Sequence, residues 1–376
     1  MLPAIAGALI VAAILWEAFE VVVLPRRVAR RLRFTVLFYR STWRPWRAIA
    51  HLIRKTRRRE AFLGIYGPLS LLVLLASWAV LMVFGFGLLI FSAARSDVVP
   101  MSFWTSMYLS GTTFFTLGLG DVTPHSAMGR FLAVAESGLG FGFLALVLSY
   151  LPVIYQAFSR REVNIVLLDA RAGSPPTCAE LLRRHSGAKG FEALQQLLRD
   201  WERWSAQILE SHISYPVVSY FRSQHNNESW LAALAAILDT CALMLAGAEN
   251  PCARQARLTF AMCRHTVVDL AQVFRAAPRS GHHDRLPSEE MARLRALLAE
   301  ASYGLLDTPE TTAKLAKIRQ SYEPYLHALS AHLYMELPPW ILSSETTDNW
   351  RTSAWGRITG FTDPAGPGAS PDDHAD

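Results

Sequence analysis

Charge is what this 376-residue chain has least of: 18% of its side chains are Asp, Glu, Lys or Arg, against 51% hydrophobic. Soluble domains average ~25% charged, so the shortage argues against an ordinary water-soluble enzyme. So apolar a chain also has ample surface to bury, which excludes intrinsic disorder. Cysteine is scarce as well, and its four copies (Cys178, Cys241, Cys252, Cys263) include no C-x-x-C pair. Neither a disulfide framework nor a zinc module is indicated, and free buried thiols are expected. Cys263, His265, His282 and His283 fit no standard ligand spacing. A Gly-x-Gly-x-x-Gly turn is missing, and no nucleophile–base constellation supports catalysis. The chain is expected not to be an enzyme and to need no organic cofactor.

What charge there is lies unevenly. Residues 1–25 carry only Glu17 and Glu20, and residues 61–159 only Arg95, Asp97, Asp121, Arg130 and Glu136. Between them, residues 26–60 hold twelve arginines and Lys55 against the single acid Glu60. The net charge of +6 is therefore a basic belt between two nearly uncharged stretches, followed by a mildly acidic remainder.

A helix crosses a bilayer with about 20 apolar residues. Residues 61–94 contain no charge at all, which predicts an outer span over 66–92. A second run gives an inner span over 129–157, and residues 3–24 give a third within segment 1–25. The last lacks the basic start of a signal peptide and is read as retained. Residues 98–128 are too short to cross and return as two helices, and predict a re-entrant segment. The basic belt faces the cytoplasm by the positive-inside rule, which places Met1 outside and everything after residue 160 inside. Arg27, Arg30 and Arg33 are spaced by three, as in a voltage sensor, but Arg26 and Arg31 fill the gaps. Interleaved aromatics (Phe34, Phe38, Tyr39, Trp43, Trp46) instead predict a helix on the membrane surface, with Arg26, Arg27, Arg30 and Arg31 facing anionic lipid. The belt is tethered at both ends to the membrane, so nucleic acid is not an expected partner.

Residues 102–121 read SFWTSMYLSGTTFFTLGLGD. Pro100 precedes a short helix predicted over 101–115. Glycines at 118 and 120 can take left-handed backbone conformations closed to other residues. A chain alternating ordinary and left-handed dihedrals aims successive carbonyls one way, and copies of it round an axis make stacked oxygen rings that replace an ion's water shell.

The TLGLGD segment at 116–121 resembles the TVGYGD selectivity filter of potassium channels, the pore-loop family. Pro124, the Gly129-Arg130 pair and Gly140 follow in the order common in that family, so the resemblance covers about 66–157. It implies ion sites at Thr116, Leu117, Gly118, Leu119 and Gly120, with Asp121 at the outer mouth bonded to a pore-helix side chain. Gly140, flanked by Gly138 and Gly142, would be a gating hinge. One pore segment per chain implies a homotetramer with K⁺ as the permeant ion. Two positions depart from the family pattern: Leu119 stands for the usual Tyr and Phe115 for a frequent Thr. They keep open a weakly selective monovalent cation channel, and a non-conducting membrane-anchored sensor with a helical output domain is a further alternative.

Three acids fall at membrane depth, where ionisable groups are rare. Glu136 is expected to support the pore by bonding Ser110, Thr112 or Thr113. Glu17 and Glu20 share a helix face and would pair with Arg26 or Arg27, or reach toward the cytoplasm. Beyond residue 160 helical periodicity predicts elements over 177–185, 189–212, 228–247, 252–276, 287–304 and 309–335. Residues 343–376, with Trp350 and Trp355, read as a disordered tail. The expectation is an all-α membrane protein: three transmembrane helices, a re-entrant pore helix and filter in a pore domain over 61–159, and an α-helical cytoplasmic domain over 160–342.

Overall fold

The computed structural model describes residues 1–24, 34–96, 100–224, 228–247, 251–279, 284–301 and 303–342. The expectations for Arg26, Arg27, Arg30 and Arg31, for His282 and His283, and for the tail 343–376 lie outside these residues. The described residues are helical, with no strand among them, in two compact units, 1–156 and 157–376.

In the first unit, α1 (Leu2–Ala18) starts on a proline, whose missing N–H costs nothing there, and ends in a π-helical turn, Phe19–Val23. It packs on α3 (Thr56–Ala93). Gly7 lies over Gly85, where an added Cβ would come 2.5 Å from the Gly85 carbonyl oxygen. Small residues at such crossings let apolar helices approach closely when no water drives them together.

Glu17 lies on α1 and Glu20 on its π turn, and the arginines expected to pair with them, Arg26 and Arg27, fall outside the described residues. Both are buried. Glu17 accepts the backbone N–H groups of Thr35 at 2.9 Å and Phe34 at 3.3 Å, which are the first residues of α2 (Phe34–Leu52). A carboxylate there satisfies donors the helix cannot and meets the positive end of its dipole. Glu20 accepts the Trp16 indole N–H at 2.7 Å.

Helix α2 is amphipathic, as the basic belt predicted, but its tryptophans are not its exposed face. Trp46 stacks on Phe62 at 4.4 Å and 7°, and Trp43 lies 4.7 Å from Tyr66, whose hydroxyl is 2.9 Å from Thr42 Oγ1. These rings fasten α2 to the first turns of α3. The outward face carries Leu37, Arg40, Arg44, Ile49 and Leu52. The short α4 (Phe103–Phe114) also packs on α3, and α5 (Ala127–Ala172) follows.

Beyond Gln156 the second unit begins inside α5, so the helix expected to end near 157 runs on to Ala172. Ile165, Leu168 and Ala172 are buried there, and so is Arg161. Its guanidinium pairs with Glu162 at 2.8 Å and donates to the carbonyls of Val218 and Phe221, both at 2.9 Å. Arg161 is thus an interior clamp. Arg161→Ala strands Glu162 and two carbonyls and is expected to cost about 3–5 kcal/mol, read as a lower thermal midpoint of the purified chain.

The rest is a helical bundle: α6 (Cys178–Arg184), α7 (Ala188–Ser214), α8 (Trp230–Gly247), α9 (Ala253–Val273), α10 (Ser288–Glu300), α11 (Pro309–Gln320) and α12 (Glu323–Leu333). Helix α8 is long and apolar enough to cross a membrane, as are α3, α5 and α1 with its π turn. It is enclosed by protein on every side, as expected of a core helix apolar all round. The single helix expected over 309–335 is two. Pro324 has no N–H to give Gln320, and its ring clashes with that carbonyl, so α11 stops and α12 starts with Pro324 in its first turn. All four cysteines are free and buried.

Two interior histidines are expected to make this unit acid-sensitive. His212 is fully buried, its Nε2 has no partner among the described residues, and its ring lies 5.0 Å from Trp230. Burial, then the Arg161 charge, holds its pKa well below the usual value, and burial also lowers that of His185. The unfolded chain therefore binds protons that the folded one refuses. The stability in question is intact above about pH 6.5, the ordinary imidazole value, and is lost as pH falls below it. Thermal midpoints between pH 7 and 5 are expected to decline, and less steeply in His212→Phe.

Candidate ion-conducting site

Helix α4 begins at Ser102, whose hydroxyl accepts the Thr105 N–H at 3.1 Å, an ordinary N-cap. It ends in a chain reversal that returns the loop to the helix. The Leu117 and Gly118 N–H groups both reach the Thr112 carbonyl, at 2.8 and 3.3 Å, and the Thr116 N–H reaches Thr113 at 3.0 Å. Carbonyls that α4 would leave orphaned are thereby satisfied.

The loop backbone then alternates. Thr116 (φ 57°), Gly118 (φ 54°) and Gly120 (φ 78°) are left-handed, while Leu117 and Leu119 are not. For glycine this conformation is free; for Thr116 it is strained, and sequence patterning gave no sign of it. At its far end the loop is tied back by Asp121, which accepts the Tyr108 hydroxyl at 2.9 Å. The structure thus brings Asp121 to an α4 side chain and names which one. Residues 115–121 are all exposed in the single chain.

Glu136, on α5, is fully buried and bonds Ser110 of α4. Of the three partners considered from sequence, Thr112 instead donates to the Leu109 carbonyl. Ser110 Oγ is also 2.8 Å from the Val83 carbonyl oxygen of α3, so one serine touches three helices. One turn beyond Glu136, Gly140 meets the end of α4. A Cβ there would come 2.1 Å from the Phe114 carbonyl oxygen, whereas Gly138 and Gly142 face open space. Helix α5 is unbroken through all three. Gly140 has a packing duty that sequence reading did not foresee. Gly140→Val is expected to cost about 1–3 kcal/mol, because it meets backbone that cannot give way. Gly138→Ala and Gly142→Ala should instead gain about 0.5–1 kcal/mol from helix propensity; thermal midpoints distinguish them.

Among the described residues no group of three or more His, Cys, Asp or Glu is placed to hold an ion. His265 faces Asp269 at 3.7 Å.

Helices of membrane-spanning length, with the short α4 and its glycine loop packed among them, define an all-α membrane protein. Residues 71–156 match the family model described as "Ion channel", which supports the resemblance of this segment to a pore-loop channel domain. A curated protein of Bacillus subtilis (strain 168), titled "Uncharacterized membrane protein YdjJ", is 24% identical over 183 residues, 46% of this chain and 52% of its own length. The chain thus spans about half of that relative. No solved structure matches.

Proposed function

We propose that four copies of the chain form a channel conducting K⁺ passively through stacked backbone oxygens of Thr116, Leu117, Gly118, Leu119 and Gly120. The observation that carries this reading is the alternating left-handed backbone at 116, 118 and 120, fastened at one end to the Thr112 carbonyl and at the other to Tyr108. Such a ribbon can present its carbonyls on one side, where they replace a cation's water. One chain cannot surround an ion. Its exposed 115–121 loop, and an α5 exposing Phe131, Val134, Phe141, Leu144 and Leu148, fit a ring of copies around an axis.

In this reading Asp121 lies at the outer mouth, Met1 is outside, and residue 160 onward is cytoplasmic. Helix α2 lies on the inner leaflet, with Leu37, Ile49 and Leu52 in the acyl boundary and Arg40 and Arg44 on anionic headgroups. Gly138 and Gly142, free of packing, remain the positions at which α5 can bend; K⁺ is the only small ligand required. Leu119 supplies no hydroxyl to brace the loop from behind, which favours weaker selectivity as the second reading.

Purified protein in K⁺-loaded liposomes decides. Rb⁺ uptake blocked by Ba²⁺ supports the first reading and equal Na⁺ uptake the second. No flux under any condition supports a non-conducting sensor and overturns both.

A further inference from the structure

Glu136 and Ser110 pose a problem of hydrogen count. A serine hydroxyl owns one hydrogen, yet Ser110 Oγ lies within hydrogen-bond distance of both the Val83 carbonyl oxygen, at 2.8 Å, and Glu136 Oε1. A carbonyl has no hydrogen to offer. Were Glu136 a carboxylate, two acceptors would share one hydrogen and one contact would be oxygen against bare oxygen. A single added proton on Glu136 resolves both: the carboxylic acid donates to Ser110, and Ser110 donates to Val83.

The surroundings point the same way. Glu136 Oε2 is buried with no partner among the described residues, an expensive position for half of a charge. Nothing there compensates one. Helix α3 carries no charged residue from 61 to 93, and its Tyr66 hydroxyl is engaged with Thr42. On α4 the only titratable group is Tyr108, which is spent on Asp121. On the membrane part of α5 the only cation is Arg130, whose Nε donates to the Pro124 carbonyl at 3.3 Å.

We propose that Glu136 is a protonated hydrogen-bond donor, a positioning residue that fastens α5 to α4 and, through Ser110, to α3, and so fixes where the 116–121 loop begins. Glu136 and Gly140 are one turn apart on α5, and the groups they meet, Ser110 and Phe114, are one turn apart on α4. The two contacts together set both the separation and the register of these helices, two residues before Thr116. The part of the proposal that concerns flux rests on the conducting reading above; the hydrogen assignment does not.

The test has two arms on the full-length protein in lipid vesicles. In the infrared difference spectrum between wild type and Glu136→Gln at neutral pH, loss of a carboxylic-acid carbonyl band is expected. Loss of carboxylate bands instead overturns the assignment whether or not the protein conducts. In Rb⁺ flux, Glu136→Gln keeps an N–H donor and is expected to retain wild-type uptake and Rb⁺/Na⁺ ratio within about twofold. Glu136→Leu fills the space without a donor and should lower uptake about tenfold, the factor one orphaned buried hydrogen bond carries. Equal flux in the Gln and Leu variants, both assembled, overturns the positioning role. A wild type that conducts nothing refutes the conducting reading, and the infrared arm still decides the proton.

Discussion

Gly118→Ala is expected to abolish Rb⁺ uptake while leaving the chain folded and assembled. The argument separates backbone from packing. A Cβ at 118 meets nothing within 4 Å in the single chain, so no clash displaces a neighbour. What it meets is its own dihedral: φ is +54°, where an L-residue pays roughly 1–2 kcal/mol. That is too little to unfold a chain of this size, but in a ring of four it is levied in every copy at the same level of the pore. The cheapest relief is to rotate the adjoining peptide, which turns a carbonyl away from the axis and removes one oxygen per copy from the ion's path. Rb⁺ uptake should fall to the level of empty vesicles, with detergent-solubilised size unchanged and the thermal midpoint lowered only by a few degrees. Gly304→Ala is the control, since it is exposed, has nothing within 4 Å of the added Cβ and is not left-handed. It should conduct as wild type does. Wild-type uptake in Gly118→Ala would sink the carbonyl-pore reading.

Legibility differed sharply between the two halves of the chain. The first unit was readable because its constraints are local: an uncharged run of 34 residues has one use, and left-handed positions in a loop select glycine. Gly118 and Gly120 advertise their dihedrals in this way, whereas Thr116 shares the conformation with a residue type that does not signal it. Glu136 was noticed because a charge at membrane depth is rare, and Ser110 stood among its candidate partners. Gly140 was expected to be a hinge because the resemblance to potassium channels implies one there. Its neighbour, the Phe114 carbonyl, belongs to another element and leaves no trace in the local pattern. Amphipathicity likewise shows that a face is apolar but not whether lipid or a helix such as α3 covers it.

In the second unit the helices were legible from period and breakers, and the interior was not. Arg161 reads as a surface residue after an apolar run, and nothing nearby in sequence announces that Val218 and Phe221 will receive it. Asp239 is likewise a lone acid in the run AAILDTCALM, and its partners lie far along the chain. Buried ion pairs are long-range by nature, so single-sequence reasoning finds the charge that is out of place but not what compensates it.

That pair gives the other large effect. Asp239 lies on the enclosed helix α8 and is 1% exposed. Arg285 meets both its carboxylate oxygens, at 2.6 and 3.3 Å, and donates to the Pro338 carbonyl at 2.8 Å, while the Tyr322 hydroxyl donates to Asp239 at 2.6 Å. Burial alone would lower the Arg285 pKa, but the charge and hydrogen bonds of Asp239 outweigh it and raise it above the ordinary value. Arg285→Ala leaves a carboxylate in the core with one hydroxyl for company. The expected cost is about 3–5 kcal/mol, a large share of the roughly 5–15 kcal/mol that holds a domain folded. Asp239→Leu alone should be damaging too, though less so, since the guanidinium keeps the Pro338 carbonyl and Glu323, at 3.6 Å. The pair itself is a different matter, because burying two charges costs desolvation that their attraction barely repays. Asp239→Leu with Arg285→Met is therefore expected to recover most of the loss, which thermal unfolding of the three variants in detergent would show. If the double variant were as unstable as the sum of the singles, the two residues would not be coupled and their pairing would carry none of the loss. If the singles melted with wild type, Asp239 would not be enclosed as the geometry describes.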